Sequence, residues 1–478
     1  MDQKKLELDF LISALHKGTI HSTEDILLWL RKKNEETKSE IKEIPISELK
    51  QWAFSTNSEK ICHKSEKFFS IEGIRVKTNW GLVHEWDQPI INQPEMGFLG
   101  IITKAIDGVL HFLMQAKIEP GNINIVQLSP TLQATRSNYT QVHKGKQPQY
   151  LEYFNGIKKV DICLDQLQSE QGARFLKKRN RNIIVKVGND EDIPVYENFI
   201  WMTLRQIKEL MRYDNTVNMD SRTVISAIPF GAYSTQNLRL LEAIGSLTRK
   251  ESANNISLLY SVLSNDNAVN NTTEIIKWIT ARKFSCELEV SGITLNNMQH
   301  WFYDGNVIKH ETGKYFSIIG VDVKIENREV VQWDQPMVRP AQEGILAFLI
   351  KKINGVFHFL VQVKVEPGNF DLLELAPTVQ CMTGNYRIGF NEYSVPFIND
   401  VLSATGERIW FSSQQSEEGG RFFKEQNLNM IVEADTNFPE RIPENFCWMT
   451  LNQLISFSSF NNYLNVGARS LLAAVSFY

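Results

Sequence analysis

Apolar and polar positions alternate from Val109 to Glu119. On a strand, His111, Leu113, Gln115, Lys117 and Glu119 share one face, and Phe112, Met114, Ala116 and Ile118 the other. The pattern predicts a strand with one face on a core. The other face presents an amide, an ammonium and a carboxylate in order before Pro120-Gly121 turns the chain. Phe98 to Thr103 is a second apolar run, and Asp107-Gly108 predicts a tight hairpin between the two, because both turn residues need positive φ. Phe69 to Lys77 predicts a further strand. Short helices are predicted over 4–16 and 22–33, the second opened by Ser22 with Asp25 as an acidic variant of a capping box. Helices are also predicted from Ser169 to Arg179 and from Thr203 onward.

The whole pattern occurs twice. Residues 111–122 recur as 358–369 with nine of twelve identical, and the three changes exchange one apolar residue for another. The offset of 247 carries Phe69 onto Phe316, Trp86-Asp87-Gln88-Pro89 onto Trp333-Asp334-Gln335-Pro336, and the Asp107-Gly108 turn onto Asn354-Gly355. It also carries Ser169-Glu170-Gln171-Gly172-Ala173-Arg174-Phe175 onto Ser416-Glu417-Glu418-Gly419-Gly420-Arg421-Phe422. Such units exceed the ~20–50 residues of a solenoid repeat. The expected organisation is a first repeat over 1–235, a helical, Ser/Asn-rich linker over 236–273, and a second repeat over 274–478, each with its own core. The fold class is α/β, in the sense of a mixed sheet with flanking helices.

Composition narrows the function. With 51 Lys and Arg against 55 Asp and Glu the formal charge is −4, which argues against a nucleic-acid partner. The basic run Lys177 to Arg181 reads as a solvated helix end, since its counterpart is not basic. Five scattered cysteines form no Cys-x-x-Cys pair, which fits a reducing compartment without structural zinc. No signal-peptide core and no bilayer-spanning run is present, so a cytoplasmic protein without a membrane partner is expected. Dinucleotide, Walker, serine-hydrolase and zincin signatures are absent, and no metal site is expected.

Four repeated polar patterns are candidates for chemistry, and each admits a plainer reading. Gln115, Lys117 and Glu119, with Gln362, Lys364 and Glu366, suit anion binding, carbonyl polarisation or proton transfer, or form a solvated face with a Lys–Glu pair. Trp86, Asp87 and Gln88, with Trp333, Asp334 and Gln335, can stack on and read a nucleobase, or be a buried Trp with a turn-forming Asp. Gly172 and Arg174, with Gly419 and Arg421, suit a phosphate at a helix start, or a capped helix with a surface Arg. Gln133, Asn138 and Tyr139, with Gln380, Asn385 and Tyr386, offer a phenol that can serve a ligand or a core.

Taken together, the paired Trp-Asp-Gln-Pro, Gln-x-Lys-x-Glu-Pro-Gly-Asn, Pro-Thr-x-Gln…Asn-Tyr and Ser-Glu-(Gln/Glu)-Gly motifs resemble the NDP-hexose 2,3-dehydratase family over about residues 20–478. The resemblance implies two tandem Nudix-like domains, a homodimer, and a dTDP-linked 4-keto-6-deoxyhexose as substrate. It implies no redox cofactor and no catalytic metal: the segments after Pro120-Gly121 and Pro367-Gly368 lack the glutamates of a Nudix hydrolase box. A 3-ketoreductase would act on the product. Base removal of the hydrogen on carbon 3, beside the keto group, would be followed by loss of the carbon-2 hydroxyl. Under that reading Lys117 or Lys364 serves the enolate oxygen, Glu119 or Glu366 and Tyr139 or Tyr386 move protons, Arg174 or Arg421 holds diphosphate, and Trp86 and Trp333 hold the nucleotide.

The copies differ where Gln171 faces Glu418 and where His143 faces Phe390. His143 titrates in a range suited to proton transfer. The extra carboxylate Glu418 is expected to enrich the second pocket, so one pocket can work while the other only binds. The rival readings are a non-catalytic sugar-nucleotide binder and a Nudix-type hydrolase of nucleoside diphosphate sugars.

Overall fold

The computed structural model describes residues 2–55, 59–135, 147–239, 253–326, 330–382, 395–439 and 441–477. The alternating run forms the strand Val109–Ile118, and its copy is Val356–Lys364. The turns between each of these and its hairpin partner have positive φ at both residues, 51° and 79° at Asp107-Gly108 and 52° and 83° at Asn354-Gly355. Each strand lies within a seven-stranded mixed sheet, here called the platform, in which Phe98–Ile106 runs parallel to Arg179–Lys186 and Gly344–Ile353 parallel to Gln426–Glu433. The helices Thr23–Glu36 and Thr272–Ser285 open with complete capping boxes on Ser22/Asp25 and Asn271/Glu274. Thr203 and Thr450 cap Leu204–Leu210 and Leu451–Ser458 in the same way.

Each copy also builds a five-stranded sheet, and here the repeats exchange strands. Ser39–Ile44 of the first repeat pairs with Phe316–Ile325 of the second, and Leu288–Ile293 returns the exchange by pairing with Ser70–Thr78. Each repeat keeps a core of its own, around Tyr150, Phe154 and Trp201 in the first and around Phe438, Phe446 and Trp448 in the second, and a further core is shared between them. One hydrophobic cluster joins Phe112 and Met114 to Phe359 and Val361, and the helices Met219–Ile225 and Val466–Ala474 pack together between the platforms. A repeat cut out alone would lose a strand and half of this interface.

Within the stretch expected to be a helical linker, 236–273, lies the helix Ala253–Leu263. It repeats Gln3–Leu15, because Ser13 Oγ donates to Leu110 O and accepts from Leu204 N while Ser261 Oγ does the same with Phe357 O and Leu451 N. The predicted helices over 169–179 and 416–426 do not form. Strands end at Ser169 and Ser416, a tight turn follows, and new strands start at Arg179 and Gln426.

The cause lies in the other repeat. Gly419 O accepts from Gly121 N at 2.7 Å, and Lys424 N donates to Gly121 O at 2.9 Å. Gly172 O and Lys177 N hold Gly368 likewise, at 2.8 and 2.6 Å. Backbone groups that a helix would pair internally are committed to the Pro-Gly turn of the opposite copy. Much of the sequence identity between the copies therefore serves this mutual lock.

The lock leaves no room. A Cβ on Gly368 would lie 1.8 Å from Phe175 O, and one on Gly121 1.7 Å from Phe422 O. Gly368→Ala is expected to cost roughly 3 kcal/mol or more, the upper end for overpacking. Gly355→Ala meets nothing within 4 Å. It carries only the left-handed backbone penalty, about 1–2 kcal/mol. Thermal unfolding of the two variants side by side checks the order, and equal shifts would contradict it.

Candidate active site

A cavity of about 1250 Å³ opens over the C-terminal end of the strand Val109–Ile118. The polar face does not run the whole strand. Leu113 packs into a second core with Tyr150, Phe154 and Trp201. His111 is buried, with Nδ1 on Val109 O and Nε2 3.4 Å from Thr19 Oγ1, and burial holds its pKa below the usual value. His358 is neutral by the same cause, with a pKa of about 4, and Val269 N donates to its Nε2. Only Gln115, Lys117 and Glu119 reach the cavity.

Their geometry is fixed by an amide chain. Lys117 Nζ donates to Gln133 O at 2.9 Å, and Gln133 Nε2 donates to Glu119 Oε1 at 2.7 Å. Ser129 Oγ and Asn218 Nδ2 hold Gln133 Oε1 at 2.8 and 3.2 Å, which orients the amide. Among the described residues Glu119 Oε2 is buried without a hydrogen-bonding partner. A group of this kind is costly to leave unpaired, and it marks a place for a ligand or a proton.

The second repeat closes the cavity with Trp333, Asp334, Gln335, Glu418, Gly420 and Arg421. The strand exchange thus crosses the sites: Glu418 lies opposite Glu119, in the pocket of the first repeat's strand and not in that of the second. A Cβ on Gly420 would sit 2.3 Å from Glu418 Oε1 and 3.7 Å from Glu119 Oε1, so the two carboxyls flank one point. Gly420 N donates to Glu418 Oε1 at 3.1 Å, and among the described residues Glu418 Oε2 is buried without a partner. The pairing of Glu418 with Gly420, against Gln171 with Ala173, follows: a side chain at 420 would collide with the folded-back carboxyl. Burial first, and repulsion from Glu119 second, push Glu418 up to about 8, against the pull of Arg421.

The equivalent carboxylate on the other side has no such freedom. Glu366 Oε2 accepts from Gly172 N at 3.0 Å, and Glu366 Oε1 from Gln380 at 3.0 Å and Asn465 at 3.4 Å. Gln362 folds back onto Pro377 O and Thr378 O, at 2.8 and 3.1 Å. Lys364 donates to Gln380 O at 3.2 Å, as Lys117 does to Gln133 O.

The remaining expected residues divide. Trp333 lines the cavity, while its Nε1 donates to Gln335 Oε1 and Gln335 Nε2 to Gly420 O, so this pair braces the Glu418 turn. Trp86 and Gln88 brace Ala173 O in the other copy. Asp87 and Asp334 serve the strand exchange. Asp87 accepts two bonds from Arg75 and one from Gln299 N, and Asp334 accepts from Lys50 N and Gln51 N. Gly172 and Gly419 do not open a helix for a phosphate: a Cβ there would lie 1.9 Å from Asn369 Oδ1 or 2.1 Å from Asn122 Oδ1. Arg174 stacks 4.0 Å above Phe316 and Arg421 4.0 Å above Phe69, each donating to the carbonyl before it; of the two, Arg421 lines the cavity. Asn138, Tyr139, His143, Asn385 and Tyr386 lie outside the described residues.

Three cavity residues had no site role in the sequence reading. Lys178 is not a solvated helix end: it is 5% exposed, its Nζ bonds Glu95 O, and burial pushes it down to about 8 against the pull of Glu170. Glu170 accepts from Asn180 Nδ2 at 2.7 Å. Asp220, on the helix Met219–Ile225, faces Glu170, Glu119, Glu418 and Lys117. The usable signal was divergence at the repeat offset, Lys178 against Glu425 and Asp220 against Gly467.

Among the described residues no helix is long and apolar enough to cross a membrane. A mixed α/β tandem protein with a buried lysine–carboxyl pocket between its repeats has the form of an enzyme. The family pattern described as NDP-hexose 2,3-dehydratase matches residues 23–228 and 272–475. The chain is 43% identical to a dTDP-4-dehydro-6-deoxy-alpha-D-glucopyranose 2,3-dehydratase of Saccharopolyspora spinosa, over 98% of this chain and 94% of that protein. Proteins with the same description from Amycolatopsis orientalis and Streptomyces violaceoruber are 38% and 41% identical, over 98% and 94% of this chain and 93% and 95% of theirs. The chain belongs to the NDP-hexose 2,3-dehydratase family, and it is a hydro-lyase.

Proposed function

We propose that this cavity dehydrates dTDP-4-keto-6-deoxyglucose across carbons 2 and 3, giving a 3,4-diketo-2,6-dideoxy sugar nucleotide. The observation that carries the assignment is the crossed carboxyl pair, Glu119 and Glu418, beside Lys117 in a cavity large enough for a sugar nucleotide. The substrate follows from what the relatives are described as acting on.

The chemistry balances within these groups. Glu119 takes the proton from carbon 3, and the electron pair moves into an enolate whose oxygen at carbon 4 faces Lys117. The carbonyl re-forms as the carbon 2–carbon 3 double bond develops, and the carbon 2–oxygen bond breaks. Glu418, protonated near neutrality, gives its proton to the departing hydroxyl, which leaves as water. The enol then ketonises: Glu119 returns its proton to carbon 2, and Glu418 recovers one from the enol hydroxyl. Both carboxyls end as they began. Arg421 and Trp333 are assigned to the nucleotide diphosphate end, where remote binding orients the sugar.

The Nudix-like description of each platform with its helices, and assembly of the chain as a homodimer, belong to the same proposal; light scattering at micromolar concentration tests the dimer. Incubation with dTDP-4-keto-6-deoxyglucose and a 3-ketoreductase tests the reaction. The expected result is a trapped product that has lost one water and gained the two hydrogens of the reduction. Release of a nucleoside monophosphate would favour a hydrolase, and unchanged substrate a binder.

A further inference from the structure

Asp220 is among the cavity groups that have no part in those steps. Asp220 is the second residue of the helix Met219–Ile225, is 4% exposed and lines the cavity. Among the described residues its Oδ1 is buried without a hydrogen-bonding partner. The helix is anchored just before it, because Asn218 caps Ser221 N and donates to the Gln133 amide that fixes Glu119. The second copy has Gly467 at this position, where a Cβ would meet only ordinary contacts at 3.5 Å. The missing side chain there is not imposed by packing.

We propose that Asp220 contacts the substrate directly, holding a hydroxyl of the sugar through its carboxyl group, and that this contact is one reason the crossed cavity on the first repeat's strand is the working one. The inference rests on the reading of that cavity as the dehydratase site. Burial, then repulsion from Glu170, Glu119 and Glu418, keeps the Asp220 carboxyl protonated well above the usual range against the opposing pull of Lys117. A protonated carboxyl both donates and accepts, which suits a neutral hydroxyl. An ionised one there would face three further carboxyls.

The test compares Asp220→Asn and Asp220→Gly in the full chain, with dTDP-4-keto-6-deoxyglucose as the probe and thermal unfolding as a control. Asn retains a donor, so its kcat/KM stays within about fivefold of the parent, while Gly, the residue of the second copy, loses about 10- to 100-fold, mainly in KM. Asp220→Ala gives the same reading if glycine frays the helix. A Gly variant as active as the parent would overturn the inference. So would an Asn variant as damaged as Gly, which would make Asp220 a proton-transfer group instead. Failure of the parent protein to release water from this substrate would overturn the functional reading itself, and is seen before any variant is made.

Discussion

Glu418→Gln is expected to lower kcat/KM by roughly 10²- to 10⁴-fold, the range for losing a general acid or base. The substitution keeps size and removes the ionisable proton, so the turn should survive. Gly420 N still finds an oxygen, and the Gly121 and Lys424 backbone bonds are untouched. The pH dependence gives a second readout. Glu418 is held up to about 8 by burial and by Glu119, so its acid form prevails below that pH and is lost above it. The activity of the parent chain should therefore fall as pH rises through about 8, and the residual activity of the Gln variant should lack that limb. Gln171→Glu, the reverse exchange on the other side, should bring no gain, because Ala173 stands where Gly420 makes room. An unchanged alkaline limb in Glu418→Gln would assign it to another group, and Lys178, with its pKa also at about 8, is the first to examine.

Local chemistry made much of this fold legible. Asp107-Gly108 and Asn354-Gly355 turn as their φ requirement dictates, and Ser22, Asn271, Thr203 and Thr450 cap the helices that follow them. The Ser169 and Ser416 segments failed for a physical reason: serine, acidic residues and a glycine satisfy the local rule for a helix start, but their backbone partners are the Pro-Gly turns of the other copy, 196 residues away for Gly172 (368 − 172) and 298 for Gly419 (419 − 121). No local rule reports such a partner. The same blindness misplaced Glu418. Asymmetry between the copies was visible, and its location was not, because the turn that carries each motif docks on the Pro-Gly turn of the opposite copy. Asp87 and Asp334 stand out in sequence for a comparable reason. Their repetition reflects the bonds that hold the exchange, to Gln299 N and to Lys50 N and Gln51 N.

Lys117 and Lys364 bring the crossed arrangement to a direct test, because the strands that carry them are nearly identical. Each ammonium donates to the carbonyl of its own Gln, and each stands one alternate position before a glutamate. What differs is the company. Lys117 shares a cavity with Glu418, Asp220 and Lys178. Lys364 stands beside Glu366, whose oxygens are already taken by Gly172 N, Gln380 and Asn465. Removing the donor to the enolate oxygen should cost roughly 10²- to 10³-fold in kcat, the scale of losing an oxyanion contact. Removing Lys364 should change it by less than about threefold, as for a residue away from the chemistry. The decisive measurement is therefore kcat of Lys117→Ala and Lys364→Ala for release of water from dTDP-4-keto-6-deoxyglucose, with both variants shown to unfold at the parent temperature. A large loss confined to Lys117→Ala is the predicted result; equal losses, or a loss confined to Lys364→Ala, would contradict a single site formed by the first repeat's strand and the second repeat's turn.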